Sequence, residues 1–206
     1  MKLVNFVIIL AYPKIVFNAR VNVLYLKKRV GVLMYLISIY FDEETNKTIQ
    51  DYINQVADKT GNTFMTDGNV PPHITISAFE TKNEEQVIKA LEKVASRIKS
   101  GQLQWVSVGQ FFPYVIYLTP VLNEYLHSMS QEIYVSLKDI DDTEISPYYR
   151  PFQWLPHTTI GKKLSQEEMQ IAFEILQKNF AMFRGRVTKI GLAKTNPYQD
   201  IFLKCL

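Results

Sequence analysis

Two of the three histidines stand in near-identical settings. One heads the stretch PPHITISAF as His73 and the other heads LPHTTIGKK as His157, each after a proline and each two residues before a threonine, Thr75 and Thr159. On a strand, residues two apart point to the same side. His73, Thr75 and Ser77 are therefore expected on one face, with Ile74, Ile76 and Ala78 on a core face. In the second copy His157 and Thr159 share a side, and Thr158 and Ile160 take the other. Imidazoles titrate near neutral pH and can serve as complementary acid and base. A threonine hydroxyl can donate to a non-bridging phosphate oxygen. Two such pairs facing each other would flank a phosphorus atom. One imidazole would take the proton of an attacking water or hydroxyl, and the other would protonate the leaving ribose oxygen. That chemistry is in-line cleavage or formation of a phosphodiester without a metal.

A single His-x-Thr on a strand is ordinarily just a satisfied or exposed side chain. Two copies, both after proline and both leading β-branched runs, outweigh that reading. Zinc is disfavoured, because neither strand holds a carboxylate to complete a ligand set and Cys205 is the only cysteine. A serine hydrolase is disfavoured by the lack of a G-x-S-x-G elbow. The third histidine, His127, is flanked at helical spacing by Asn123, Glu124, Ser130 and Gln131, which predicts a solvated position.

The elements that must carry these residues alternate between strands and amphipathic helices. Residues 34–41 (MYLISIYF) read as a buried strand. A helix capped by Asp42 follows, with Ile49, Tyr52, Ile53 and Val56 on one face and Thr60-Gly61-Asn62 closing it. The strand 73–79 comes next. A helix capped by Asn83 then buries Val87, Leu91, Val94 and Ile98. Strands over 103–108 and 114–118 lead to a third helix, for which Pro120 suits the first turn. Its stripe is Leu122, Tyr125, Leu126, Met129, Ile133 and Leu137. The polar stretch 138–151 reads as a loop. After a strand over 157–162, Ser165-Gln-Glu-Glu168 is a capping box opening a last helix. Strands over 186–193 and 201–205 close the chain. Each half thus places its His-x-Thr strand between two helices, which implies two lobes related by a pseudo-twofold.

The 206 residues carry a net charge of +3, but the first 33 hold six basic and no acidic side chains, so the remainder is net −3. That balance argues against a long basic nucleic-acid face and for a local pocket that takes one phosphate or a short end. Residues 1–33 read as an N-terminal extension outside the functional domain. Met34 is the expected start and 34–206 the expected domain. No run reaches the roughly 18 apolar residues of a membrane span without a proline or a charge. One cysteine fits a reducing, cytoplasmic setting.

On the two motifs, PHITISAF and PHTTIGKK, their order and the layout between them, the chain from Met34 to Leu206 resembles the two-histidine (2H) phosphoesterase superfamily. It is most similar to its 2′-5′ RNA ligase / RNA 2′,3′-cyclic phosphodiesterase branch. The stretch GQFFPYVIYLTP resembles the strand pair that leads to the family's central helix. The resemblance implies a bilobal α+β fold of pseudo-twofold symmetry, with two antiparallel sheets lining a central cleft and helices outside. It implies that His73 and His157 are catalytic and that Thr75 and Thr159 bind phosphate. It also places a basic residue at Lys162, whereas strict strand alternation favours Lys163. Tyr40, Phe112, Tyr114, Phe152 and Trp154 are candidates to stack on a base.

The implied activity needs no cofactor or metal. It is hydrolysis of a 2′,3′-cyclic phosphate to a 2′-phosphate, or action on 2′-5′ linkages of RNA or small nucleotides, with 2′-5′ RNA ligation as a reverse reaction. The expected partner is an RNA end or a small nucleotide phosphodiester, and the expected state is a monomer with no membrane contact. The alternatives are another 2H reaction, such as trimming of RNA 3′ ends or degradation of cyclic or 2′-5′ oligonucleotide signals, and a non-catalytic module that binds RNA ends or nucleotides.

Overall fold

The computed structural model describes residues 34–195 and 198–206. The extension expected over residues 1–33 lies outside the described residues. The chain runs β1 (Met34–Phe41), α1 (Glu43–Thr60), α2 (Phe64–Asp67), β2 (His73–Thr81), α3 (Glu84–Ala95), β3 (Gly101–Phe111), β4 (Val115–Pro120), α4 (Glu124–Leu137), β5 (Thr143–Ile145), a 3-10 turn (Pro147–Tyr149), β6 (Thr158–Lys162), α5 (Gln166–Asn179), β7 (Phe183–Lys194) and β8 (Gln199–Cys205).

Local chemistry explains most boundaries. Asp42 accepts from the Thr45 amide at 2.8 Å, and Gly61 closes α1 at φ 76°, a left-handed conformation that costs a glycine little. The Ser165–Glu168 capping box opens α5 in both directions. Three expectations are corrected. Pro120 ends β4, opposite Trp105, and α4 begins four residues later because Asn123 caps it by accepting from the Leu126 amide at 3.0 Å. Asn83 precedes α3 without capping it, because its side-chain amide is bonded to the Asp141 carbonyl. The stretch 138–151 is more than a loop. It holds β5, which pairs with β2 and is pinned by a 2.8 Å hydrogen bond between the Thr81 and Thr143 hydroxyls. A three-residue strand is too short to show periodicity.

All strand pairs are antiparallel, in the order β5-β2-β1-β7-β3-β4-β6, with β8 also on β7. The two predicted sheets are two ends of one hydrogen-bonded path. β7 joins them: residues 187–194 pair with β1, 189–194 with β8, and 183–187 with β3. The path curls enough that β2 and β6, with four strands between them in this order, come within 8 Å of each other at Cα. One sheet face carries Ile37, Ile39, Ile74, Ile116, Leu118, Ile190 and Leu192, all buried in a single core with the stripes of α1, α3, α4 and α5. Burying each such side chain stabilises the fold by about 1.5–3 kcal/mol. The opposite face carries the histidines and is called the site face below.

Two ladder irregularities fall at matching places. In the β1–β2 ladder Ser38 pairs with Thr75 and Ile37 with Ser77, so Ile76 is an extra residue. In the β4–β6 ladder Tyr117 pairs with Thr159 and Ile116 with Gly161, so Ile160 is an extra residue. Each bulge comes three residues after its histidine. Each one switches the side to which the following residues point.

Candidate active site

The bulges decide which side chains belong to the site. His73 pairs with Tyr40 and Thr75 with Ser38, so these four share the site face. Beyond the bulge, Ser77 pairs with the core residue Ile37. It turns inward instead of continuing the expected polar row, and its buried hydroxyl has no hydrogen-bond partner. On the other strand the bulge returns Lys162, which pairs with Val115, to the face of Thr159. Lys162 lies close enough to His73 to disfavour its protonated form. Lys163 stands past the end of the strand at φ 58°, with its ammonium 4.2 Å from the centre of the Phe64 ring. Strict alternation pointed to Lys163, and one extra residue reverses that choice.

Both imidazoles are tethered alike. Nδ1 of His73 is 2.8 Å from the Pro71 carbonyl, and Nδ1 of His157 is 2.9 Å from the Leu155 carbonyl. A carbonyl can only accept, so each Nδ1 carries a proton and donates it. Each Nε2 is left to exchange a proton with something else. Burial holds both pKa values below the ordinary histidine range. For His73 the carbonyl bond opposes this and Lys162 adds to it; for His157 the carbonyl bond likewise opposes it, and a charge on His73 adds to it. The approach of β2 and β6 places the imidazoles near enough for a charge on His73 to reach His157.

Aromatic rings hold the histidines, unequally. The His157 ring meets Phe111 edge-on at 4.8 Å and Tyr117 at 5.3 Å, whereas His73 has Tyr40 at 6.2 Å. The Tyr40 hydroxyl is 3.2 Å from that of Tyr198, which donates to Asp200 at 2.7 Å. Tyr117 lies across Gly109, its ladder partner; a Cβ built there would meet the tyrosine ring at 2.6 Å. Thr75 is buried. Its hydroxyl is 3.5 Å from that of Ser38 and lies near the Tyr149 phenol, whose pKa burial raises and Thr75 lowers. Thr159 is half-buried on the same face as Tyr117.

The other candidates scatter. Trp154 is only 7% exposed, and its indole N–H donates to the Thr75 carbonyl at 3.0 Å, so it sits beneath the site. Phe152 is 82% exposed and lies 4.5 Å from the ring of His127. His127 is therefore half-buried against an aromatic ring, not fully solvated. Phe112 and Tyr114 are exposed at the tip of the β3–β4 hairpin and line a cavity of about 690 Å³ with Met169 and Phe173 of α5. Sequence reasoning missed Ser38, Phe111, Tyr117, Tyr149 and Tyr198. Strand pairing brings Ser38, Phe111 and Tyr117 there, and chain segments outside the ladders bring Tyr149 and Tyr198; the one available hint was Gly109 opposite an aromatic. Among the described residues, no group of three His, Cys, Asp or Glu side chains could hold a metal ion.

Two tethered imidazoles and two threonines on one curled antiparallel sheet define a two-histidine site. Residues 43–199 match the profile of the 2′-5′ RNA ligase superfamily, and the chain belongs to that superfamily of 2H phosphoesterases. Two relatives share the name "Putative phosphoesterase". One, from Halalkalibacterium halodurans, is 30% identical over 105 residues, which cover 48% of this chain and 57% of that protein. The other, from Bacillus thuringiensis, is 33% identical over 137 residues, which cover 60% of this chain and 68% of that protein. The match thus spans little more than half the length of the first. Among solved structures, a phosphoesterase crystal structure superimposes with TM-score 0.57 at 17% identity, covering 84% of this chain and 98% of that one. Escherichia coli LigT complexed with 3′-AMP gives 0.51 at 16%, covering 85% and 98%. TT0787 of Thermus thermophilus gives 0.53 at 12%, covering 84% and 97%. At these identities the likeness is one of fold.

Proposed function

We propose that the protein is a metal-independent phosphodiesterase that hydrolyses 2′,3′-cyclic phosphates to 2′-phosphates or acts on 2′-5′ linkages of RNA or small nucleotides. The observation that carries this reading is the matched tethering of His73 and His157. Each donates Nδ1–H to the carbonyl two residues back, and a charge on His73 reaches His157. With both Nε2 atoms near one phosphorus, one imidazole takes the proton of the attacking water and the other gives a proton to the departing ribose oxygen. Thr75 and Thr159 donate to the non-bridging oxygens, and Lys162 offsets the charge that builds there. With a 5′-hydroxyl in place of the water, the same steps form an O5′–P bond and break the ring P–O3′ bond, leaving a 2′-5′ linkage without a nucleotide cofactor. LigT, whose fold this chain shares, has been crystallised with 3′-AMP. A ligand of that size matches a site built for a single phosphate. The non-catalytic module is disfavoured, because binding alone has no use for two imidazoles with freed Nε2 atoms.

The test is a panel of 2′,3′-cyclic nucleotides, 2′-5′ dinucleotides and 3′-5′ RNA, each assayed with a chelator. Turnover of one of the first two should persist with the chelator and fall by about 10²–10⁴-fold in His73→Ala and in His157→Ala, the usual loss for a general acid or base. Binding without turnover of any member, or activity that disappears with the metal, refutes the assignment.

A further inference from the structure

We infer that Trp154 is a positioning residue and that the strap leading into β6 sets the distance between the two catalytic halves; the inference rests on the function proposed above. β5 covers the edge of β2 only at Phe79–Thr81. N-terminal to that pairing, the strap takes over the edge. The Ser146 amide donates to the Ala78 carbonyl at 2.9 Å, and the Trp154 indole N–H donates to the Thr75 carbonyl at 3.0 Å. The very next residue, Leu155, supplies the carbonyl that holds Nδ1 of His157 at 2.9 Å. Two adjacent residues therefore grip the phosphate-binding threonine of one half and the imidazole of the other. The peptide between them is planar and nearly inextensible, so it works as a spacer between Thr75 and His157. The Tyr149 phenol, earlier in the strap, lies near the hydroxyl of the same threonine.

The sequence offered Trp154 as a base-stacking candidate, but its burial and its single polar contact assign it to holding Thr75. In-line displacement is sensitive to misplacement of its groups by about 1 Å. A loosened Thr75 should therefore lower turnover more than it weakens substrate binding.

The experiment is Trp154→Phe, which keeps an aromatic ring in the core and deletes the N–H, compared with Thr75→Val and the double variant. For Trp154→Phe we expect kcat to fall about tenfold with KM changed less than twofold, in line with losing one aligned hydrogen bond. The pH limbs should stay in place because neither imidazole is touched. In the Thr75→Val background the same substitution should change kcat less than twofold, since a residue acting through Thr75 has nothing left to position. An equal loss in both backgrounds, or a fall in melting temperature without loss of kcat, overturns the inference. If the wild type turns over no diester, the proposed reaction fails and the strap is judged by binding. Inorganic phosphate is titrated against the histidine ring resonances of the four proteins. Trp154→Phe should then weaken phosphate binding only where Thr75 is present, and equal weakening in both backgrounds refutes the strap's role.

Discussion

The two imidazoles have one tether design and different surroundings. His73 faces the charge of Lys162 across the site, while His157 is walled by Phe111 and Tyr117. Both are held below the ordinary value near 6.5, chiefly by burial. A reaction that needs one base and one acid loses rate as pH falls through the pKa of the base and as pH rises through that of the acid. With both values depressed, the two limbs move toward acid together. The kcat/KM optimum of the free enzyme is expected on the acid side of about 6.5, the reference value for histidine. Lys162 lowers His73, so Lys162→Met should shift the limb governed by His73 to higher pH. NMR titration of the His73 ring should move in the same direction, and a limb that stays fixed or moves down contradicts the placement.

At the scale of elements, the bulges and the β3–β4 hairpin shape the site. Gly109 lets the Tyr117 ring lie flat across its strand and reach His157. A methyl group there must push the ring off the strand. Gly109→Ala is expected to cost about 1–3 kcal/mol of stability, the usual range for overpacking. It should also lower kcat/KM, because the displaced ring moves into His157. Thermal melting and steady-state kinetics check both parts. Adding Tyr117→Leu should recover part of the stability but none of the activity, since the wall of His157 is then lost. The matching bulges at Ile76 and Ile160 also show why the motif stops after two polar positions. Past the bulge each strand turns back to the core, where Ser77 is buried and the Gly161 backbone lies against Ile116, Leu164 and Val56.

At the scale of the whole molecule, the two halves share β7 and one core. Trp105, with no exposure at all, stacks on Phe183 at 4.9 Å, meets Phe41 edge-on at 5.1 Å and donates to the Thr158 hydroxyl at 3.2 Å. It therefore touches β1, β7 and the strand beside His157 at once. Trp105→Ala should cost about 3–5 kcal/mol, the usual range for emptying a buried aromatic site. Because the core is continuous, unfolding should be a single transition, with fluorescence and far-ultraviolet dichroism coinciding in the wild type. Separate transitions for the two halves would show that β7 couples them less than the shared core requires. Among the described residues, no helix is long and apolar enough to cross a membrane.

The amino-acid sequence by itself determined the alternation of strands and helices, the caps at Asp42, Gly61 and Ser165, and the two His-x-Thr strands. Each of these depends on residues within a few positions of one another. The tertiary structure decided what depends on pairing between distant segments. It turned Ser77 inward and brought Lys162 to the site, because an extra residue in a ladder shows up only against its partner strand. It placed Trp154 under Thr75 and Tyr117 beside His157, and it joined the two expected sheets through β7. Periodicity says which face a side chain takes along its own strand; which residues meet across the fold is set by register and curl, and these arise only when the chain closes on itself.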